Sequence, residues 1–206
     1  MNRFNIDKNI IIEEYTKAFL EYGPCPRGIT WGSEASQIIR FDVMKGIGSL
    51  DGASILDFGC GMGDFYGYLE KYTKADLSKY VGIDINNILL QEARKRYPNA
   101  NFLIRDILKN PFSENSFDFV LSSGAFAILT PNWNDFTFMN LDNLFSFCKK
   151  GMGINFLTSF SDSNTGSHYV NPCFMLEESC RRYSKKIVIR HDYKDNDFTI
   201  FVYKEK

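Results

Sequence analysis

The chain has 206 residues, 44% of them hydrophobic and 24% charged, with a formal charge of -1. That size and composition fit one soluble globular domain, or one domain with a small N-terminal addition, whose core needs no metal or disulfide staple. The near-neutral balance excludes a chain-wide field that would recruit nucleic acid or an anionic membrane, and no apolar run reaches membrane-spanning length.

Residues 7–22 place Ile10, Ile11, Tyr15, Ala18, Phe19 and Tyr22 at helical spacing, which predicts an amphipathic helix stopped by Gly23-Pro24-Cys25-Pro26. Charges inside the first apolar run, and no small-residue cleavage site, argue against a signal peptide. Ser33 is suited to cap a second helix that runs to Met44 and ends at Gly46 and Gly48. Nothing before Ser49 reads as a strand, so residues 1–48 are expected to form a helical lid segment on a main domain of residues 49–206. From Ala53 the pattern alternates. Strand 54–58 leads to helix 64–74, strand 80–85, helix 87–97, strand 101–105 and strand 117–122. Helix 135–148 follows, with Lys149 and Lys150 at its negative end, and then strand 153–159. Such an order predicts a parallel sheet with helices on both faces. A proline-opened helix at 172–183 precedes strands 187–193 and 198–203, whose link is too short for a parallel crossover and therefore predicts an antiparallel hairpin. The five cysteines are scattered without zinc or CxxC spacing, so reduced thiols and a cytoplasmic location are expected.

The chemistry concentrates in Ile55-Leu56-Asp57-Phe58-Gly59-Cys60-Gly61-Met62-Gly63-Asp64-Phe65. A strand, closely spaced glycines and a helix let a ligand approach bare main chain, although turns of this kind serve several ligands. A dinucleotide site calls for glycine or alanine where Asp64 stands, and offers the helix N-terminus to a diphosphate. Asp57 and Asp64 would crowd that diphosphate with like charge, which disfavours a nicotinamide cofactor. A phosphate-free nucleoside bearing an ammonium suits the acids better. Asp84 ends the second strand, where ribose hydroxyls can donate to it. Asp106 follows the third strand and can accept from an adenine amino group. Ile85 and Ile107 are placed to sandwich the base, with core packing as the alternative.

Asp57-x-Gly59-x-Gly61-x-Gly63 resembles motif I of the class I S-adenosylmethionine (SAM)-dependent methyltransferases. Asp84 is similar to their ribose-binding acid and Asp106 to the acid beside adenine. Phe117-Asp118-Phe119-Val120-Leu121-Ser122-Ser123-Gly124 resembles the fourth-strand motif beneath the methionine portion and the acceptor. The resemblance runs from Ala53 to the C-terminus. It implies an α/β fold: a Rossmann-like seven-stranded, mostly parallel sheet with helices on both faces and an antiparallel C-terminal hairpin. It implies SAM as cofactor, held by Asp57, Gly59, Gly61, Gly63, Asp84, Asp106 and Ser122; Cys60, Ile85 and Ile107 are further cofactor-side candidates, with apolar packing as the alternative for Cys60. Arg40, on the second helix, is a candidate partner for the methionine carboxylate, with a surface charge as the alternative.

Methyl transfer from a sulfonium is an in-line displacement, so the protein must mainly align the acceptor and exclude water. A general base is needed only where the acceptor loses a proton, and the catalytic group stays unassigned, with His168 as the candidate and a solvated loop histidine as its alternative. Tyr22, Trp31, Phe126 and His168 are the expected acceptor-side residues, and no metal is expected. The chain lacks the Asn/Asp-Pro-Pro-aromatic motif of base-methylating enzymes, a recognition domain and a basic excess, which favours a small-molecule acceptor over nucleic acid. A protein or RNA acceptor, or a non-catalytic SAM-binding regulator or partner, are the other readings. A monomer or homodimer is expected.

Overall fold

The computed structural model describes residues 3–162 and 166–205. Its short apolar runs pair into one sheet: β1 (Ile55–Phe58), β2 (Tyr80–Asp84), β3 (Asn101–Ile104), β4 (Phe117–Ser123), β5 (Cys148–Leu157), β6 (Ile187–Arg190) and β7 (Asp197–Tyr203). The order across the sheet is β3-β2-β1-β4-β5-β7-β6. β1 to β5 are parallel to one another, and β7 runs antiparallel to both β5 and β6. The expected seven-stranded α/β architecture and its terminal hairpin are therefore present.

Among the described residues six α-helices accompany the sheet: α1 (Asn5–Tyr22), α2 (Glu34–Met44), α3 (Asp64–Tyr72), α4 (Asn87–Arg96), α5 (Trp133–Phe147) and α6 (Pro172–Arg182). Strand alternation divides the core between the two faces. Ile55, Phe119 and Leu121 pack with Phe41 and Met44 of α2, Leu69 of α3 and Leu90 of α4. Leu56 and Val120 point the other way, into a second cluster with Leu141 and Leu144 of α5 and Met175 of α6. Ser33 caps α2 as expected, accepting from the Ser36 N–H at 3.2 Å.

Two local expectations are corrected. β5 begins at Cys148, five residues earlier than the pattern suggested, because Cys148 already pairs with Phe117 across a register irregularity in β4. Lys149 and Lys150 therefore lie in a strand, not at a helix end, and Lys150 sits 3.1 Å from the Asp118 carboxylate. On α1 Tyr15 and Phe19 of the expected apolar stripe pack against Ile29, Met62 and Leu89, but the buried residues are Asp7 and Lys8, and Tyr22 of that stripe is 48% exposed. The first turn of α1 buries charges because it meets polar groups, Asp7 the Asn132 N–H and Lys8 the Asp106 carboxylate.

The chain leaves β3 to cross back beside β1 as β4, so the connections diverge between β1 and β4. Ligands of open α/β sheets bind outside the strand ends at this kind of switch point.

Candidate functional site

The β1–α3 turn is anchored by its own main chain. The N–H groups of Gly59 and Cys60 donate to the Ile83 carbonyl at 2.9 and 3.0 Å, and the Gly63 N–H donates to Cys60 O at 2.9 Å. Gly61 has φ 53°, and a Cβ there would meet nothing within 4 Å except Ile29 Cγ2 at 4.0 Å, so it would project into the cleft. The bare backbone at Gly61 is what leaves that space for a ligand.

The three strand-tip acids line one cleft with Gly59, Cys60 and Gly61 of the turn. Asp57 is buried and accepts from the Tyr80 hydroxyl at 2.5 Å. Burial pushes its carboxyl up to about 7, against the Tyr80 hydrogen bond and with help from the nearby charges of Asp84 and Asp64. Asp84 takes the Gly61 N–H on Oδ2 at 2.9 Å and the Asn86 N–H on Oδ1 at 2.8 Å. Burial raises its pKa too, while those N–H groups oppose the rise. Asp106 accepts from the Leu108 N–H on Oδ1 at 3.1 Å and from Lys8 Nζ on Oδ2 at 2.6 Å. Ile85 and Ile107 line the same cleft beside the acids they follow.

α1 forms part of the roof. Lys8, Ile11 and Tyr15 face the cleft, a spacing that keeps them on one side of the helix. The Asn132 N–H and Nδ2 donate to Asp7 at 2.9 and 3.1 Å, and Asn86 Nδ2 donates to Ile12 O and Thr16 Oγ1 at 3.2 and 3.0 Å. The Tyr15 hydroxyl donates to Gly124 O at 3.0 Å. A Cβ on Gly124 would lie 2.9 Å from the Trp31 indole, so only a glycine lets Trp31 close over the tip of β4. Gln37 lines the cleft and donates to Asp64 Oδ2 at 3.0 Å. Phe126 lines it as well, stacked between Phe58 and Phe156 at 5.7 Å from each.

Several expected site residues lie elsewhere. Arg40 is not in the cleft wall: its Nε and Nη2 donate to the two Asp197 carboxylate oxygens, with Nε at 2.6 Å from Oδ1, its Nη1 donates to Ser36 O at 2.9 Å, and it stacks over Trp31 at 4.6 Å. Its charge is neutralised inside the protein, which removes it as the carboxylate partner. Ser122 is buried and is not part of the cleft wall, whereas its neighbour Ser123 lines the cleft. Gly63 caps α3 and lies under the Phe102 ring instead of facing the ligand space. Tyr22 is outside the cleft wall. His168 is also outside it, packed against Trp133 at 4.0 Å with burial holding its pKa down. Lys8 and Asn86 were missed. The signal for Lys8 was present as an adjacent acid and base, Asp7-Lys8, at the start of an otherwise apolar helix.

The residues present fit a nucleoside carrying an amino-acid tail. Each Asp84 oxygen uses one lone pair on a backbone N–H, leaving others for a diol. Among the described residues the buried Ser123 hydroxyl has no hydrogen-bond partner, and it faces the cleft.

Comparisons with known proteins agree with this geometry. The sequence profile of a family described as "Methyltransferase domain" matches residues 55–145. Rv1506c of Mycobacterium tuberculosis, which carries a methyltransferase name, is 30% identical over 171 residues, covering 78% of this chain and 99% of that protein. The mRNA cap guanine-N(7) methyltransferase of Candida glabrata is 50% identical over 52 residues, only 12% of its own length. Among solved structures, magnesium protoporphyrin IX methyltransferase of Synechocystis PCC 6803 with bound SAM superposes at a TM-score of 0.65 with 14% identity, covering 100% of both chains.

Proposed function

The chain belongs to the class I SAM-dependent methyltransferase family, and from that premise we propose that it methylates a small molecule by direct in-line displacement. The observation that supports a small acceptor is the roof. α1 lies along the cleft with Lys8, Ile11 and Tyr15 in its wall, and Trp31 covers the tip of β4. A covered cleft with apolar walls suits an acceptor that enters whole, and residues 1–48 act as its lid. The match to the cap-methylating enzyme spans too little of that enzyme to bring its RNA acceptor here.

SAM supplies a methyl group already activated on a sulfonium leaving group. The chain's task is to bind, orient and exclude water. Asp84 holds the ribose hydroxyls, Asp106 the adenine amino group and Asp57 the ammonium of the methionine portion. Ile85 and Ile107 flank the base, and Gly59, Cys60 and Gly61 present main chain to the amino-acid tail. Trp31 and Phe126 form the acceptor wall. His168, turned against Trp133, is left without a role in proton transfer. We place the enzyme in the cytoplasm, as a monomer or homodimer. Its five cysteines are free thiols, and no helix among the described residues is long and apolar enough to cross a membrane.

The test is to incubate the protein with methyl-tritiated SAM and the low-mass, RNA and protein fractions of one cell extract. Label in the low-mass fraction is the expected result. Label confined to RNA or protein would replace the small-molecule reading with a macromolecular one.

A further inference from the structure

We propose that Lys8 reads the adenine edge of the cofactor, donating to a ring nitrogen beside the amino group that Asp106 accepts, and so couples closure of α1 to cofactor occupancy. The inference rests on the cofactor site proposed above. Lys8 projects from α1 into the cleft, its side chain 8% exposed, and its Nζ lies 2.6 Å from Asp106 Oδ2. An ammonium carries three donors. Among the described residues Asp106 is the one hydrogen-bond acceptor that this ammonium meets. Leaving the donors of a buried charge unmet is costly, so the remaining ones call for an acceptor inside the cleft.

Asp106 does not lose its own capacity to this ion pair. Oδ1 takes the Leu108 N–H and Oδ2 takes Lys8, which leaves a lone pair on each oxygen for an amino group. The cleft therefore presents a hydrogen-bond acceptor and a donor side by side. Adenine presents the matching pair, since its exocyclic amino group donates and a ring nitrogen lies on either side of it as an acceptor. The base stands between a fixed strand tip and a helix that packs over the cleft. A contact from the base to Lys8 adds to the holds that Asp7 and Asn86 already provide on α1. A purely structural tie between Lys8 and Asp106 predicts no such dependence on the base.

The test uses the full chain, wild type and Lys8→Met, which keeps most of the stem and removes the charge. Calorimetry measures the affinity of each for S-adenosylhomocysteine and for its 1-deaza and 7-deaza analogues, each lacking one ring nitrogen. Expected is that one deaza analogue binds wild type about tenfold more weakly, that Lys8→Met loses about the same factor for the parent ligand, and that the two losses do not add. Additive losses, or Lys8→Met binding the parent ligand as wild type does, would overturn the proposal. Should Lys8→Met fail to fold, hydrogen exchange of α1 in wild type decides. The parent ligand should slow it more than the weakened analogue does at equal saturation, and equal slowing refutes the coupling. A wild type that binds S-adenosylhomocysteine but passes none of these tests removes only the role of Lys8. One that binds none of the three ligands removes the cofactor reading as well.

Discussion

Cofactor affinity should climb with pH up to about 7 and then level off, with Asp57 as the cause. Asp57 is 4% exposed at the tip of β1, and burial moves its carboxyl from an ordinary 3.8 to about 7. The proposed ligand for it is an ammonium, which favours the ionised acid. If only that form binds, the apparent Kd exceeds its plateau about elevenfold at pH 6, about twofold at pH 7 and by about a tenth at pH 8. Folding stability moves the other way. With the folded pKa above 3.8, the contribution of Asp57 is fully present below that value and is lost as pH rises toward about 7. The melting temperature of the free protein should therefore decline over the window in which affinity improves. Calorimetric titration with S-adenosylhomocysteine across this range is the assay, with methylthioadenosine, which lacks the ammonium, as control. Tyr80→Phe removes the hydroxyl that donates to Asp57 and should shift the midpoint to higher pH. A flat profile for S-adenosylhomocysteine, or the same slope with methylthioadenosine, would refute the pairing of Asp57 with the ammonium.

Asp84→Ala should weaken S-adenosylhomocysteine binding by about 1–3 kcal/mol while the fold persists, as read by calorimetry and circular dichroism; unchanged affinity would remove Asp84 from the ribose role. Gly61→Val places a branched side chain in the ligand space at φ 53°, so binding should fall more than about tenfold, with a stability loss of about 1–3 kcal/mol from backbone strain. Retained affinity in that variant would show that the ligand does not pass over the turn. Arg40→Met leaves Asp197, which is 0% exposed, without its cation and should cost about 3–5 kcal/mol in denaturant titration. Its effect on S-adenosylhomocysteine affinity should stay below that of Asp84→Ala. A variant that loses binding but keeps its stability would return Arg40 to the carboxylate.

The part of the site legible in the sequence was the part built from local pattern. Asp57, Asp84 and Asp106 each stand at or just beyond the end of a short apolar run, and parallel pairing brings such ends to one edge. Three consecutive strand tips therefore share a cleft without any long-range guess. The glycine turn was legible for the same reason, because closely spaced glycines between a strand and a helix are a local statement about backbone. The β4 motif was legible only to within one residue. Alternation sends neighbouring serines to opposite faces, and the bulge near Phe117 shifts the register from which those faces would be counted.

Sequence by itself determined the order of strands and helices, the antiparallel ending and the acidic rim of the cleft, because periodicity, caps and short links act over a few residues. Tertiary structure alone decided which charges meet. Arg40 finds Asp197 across 157 positions, and Lys8 finds Asp106 across 98. Those pairings follow from how α1 and α2 pack against the domain, and a buried charge settles wherever an opposite charge lets it leave water at least cost.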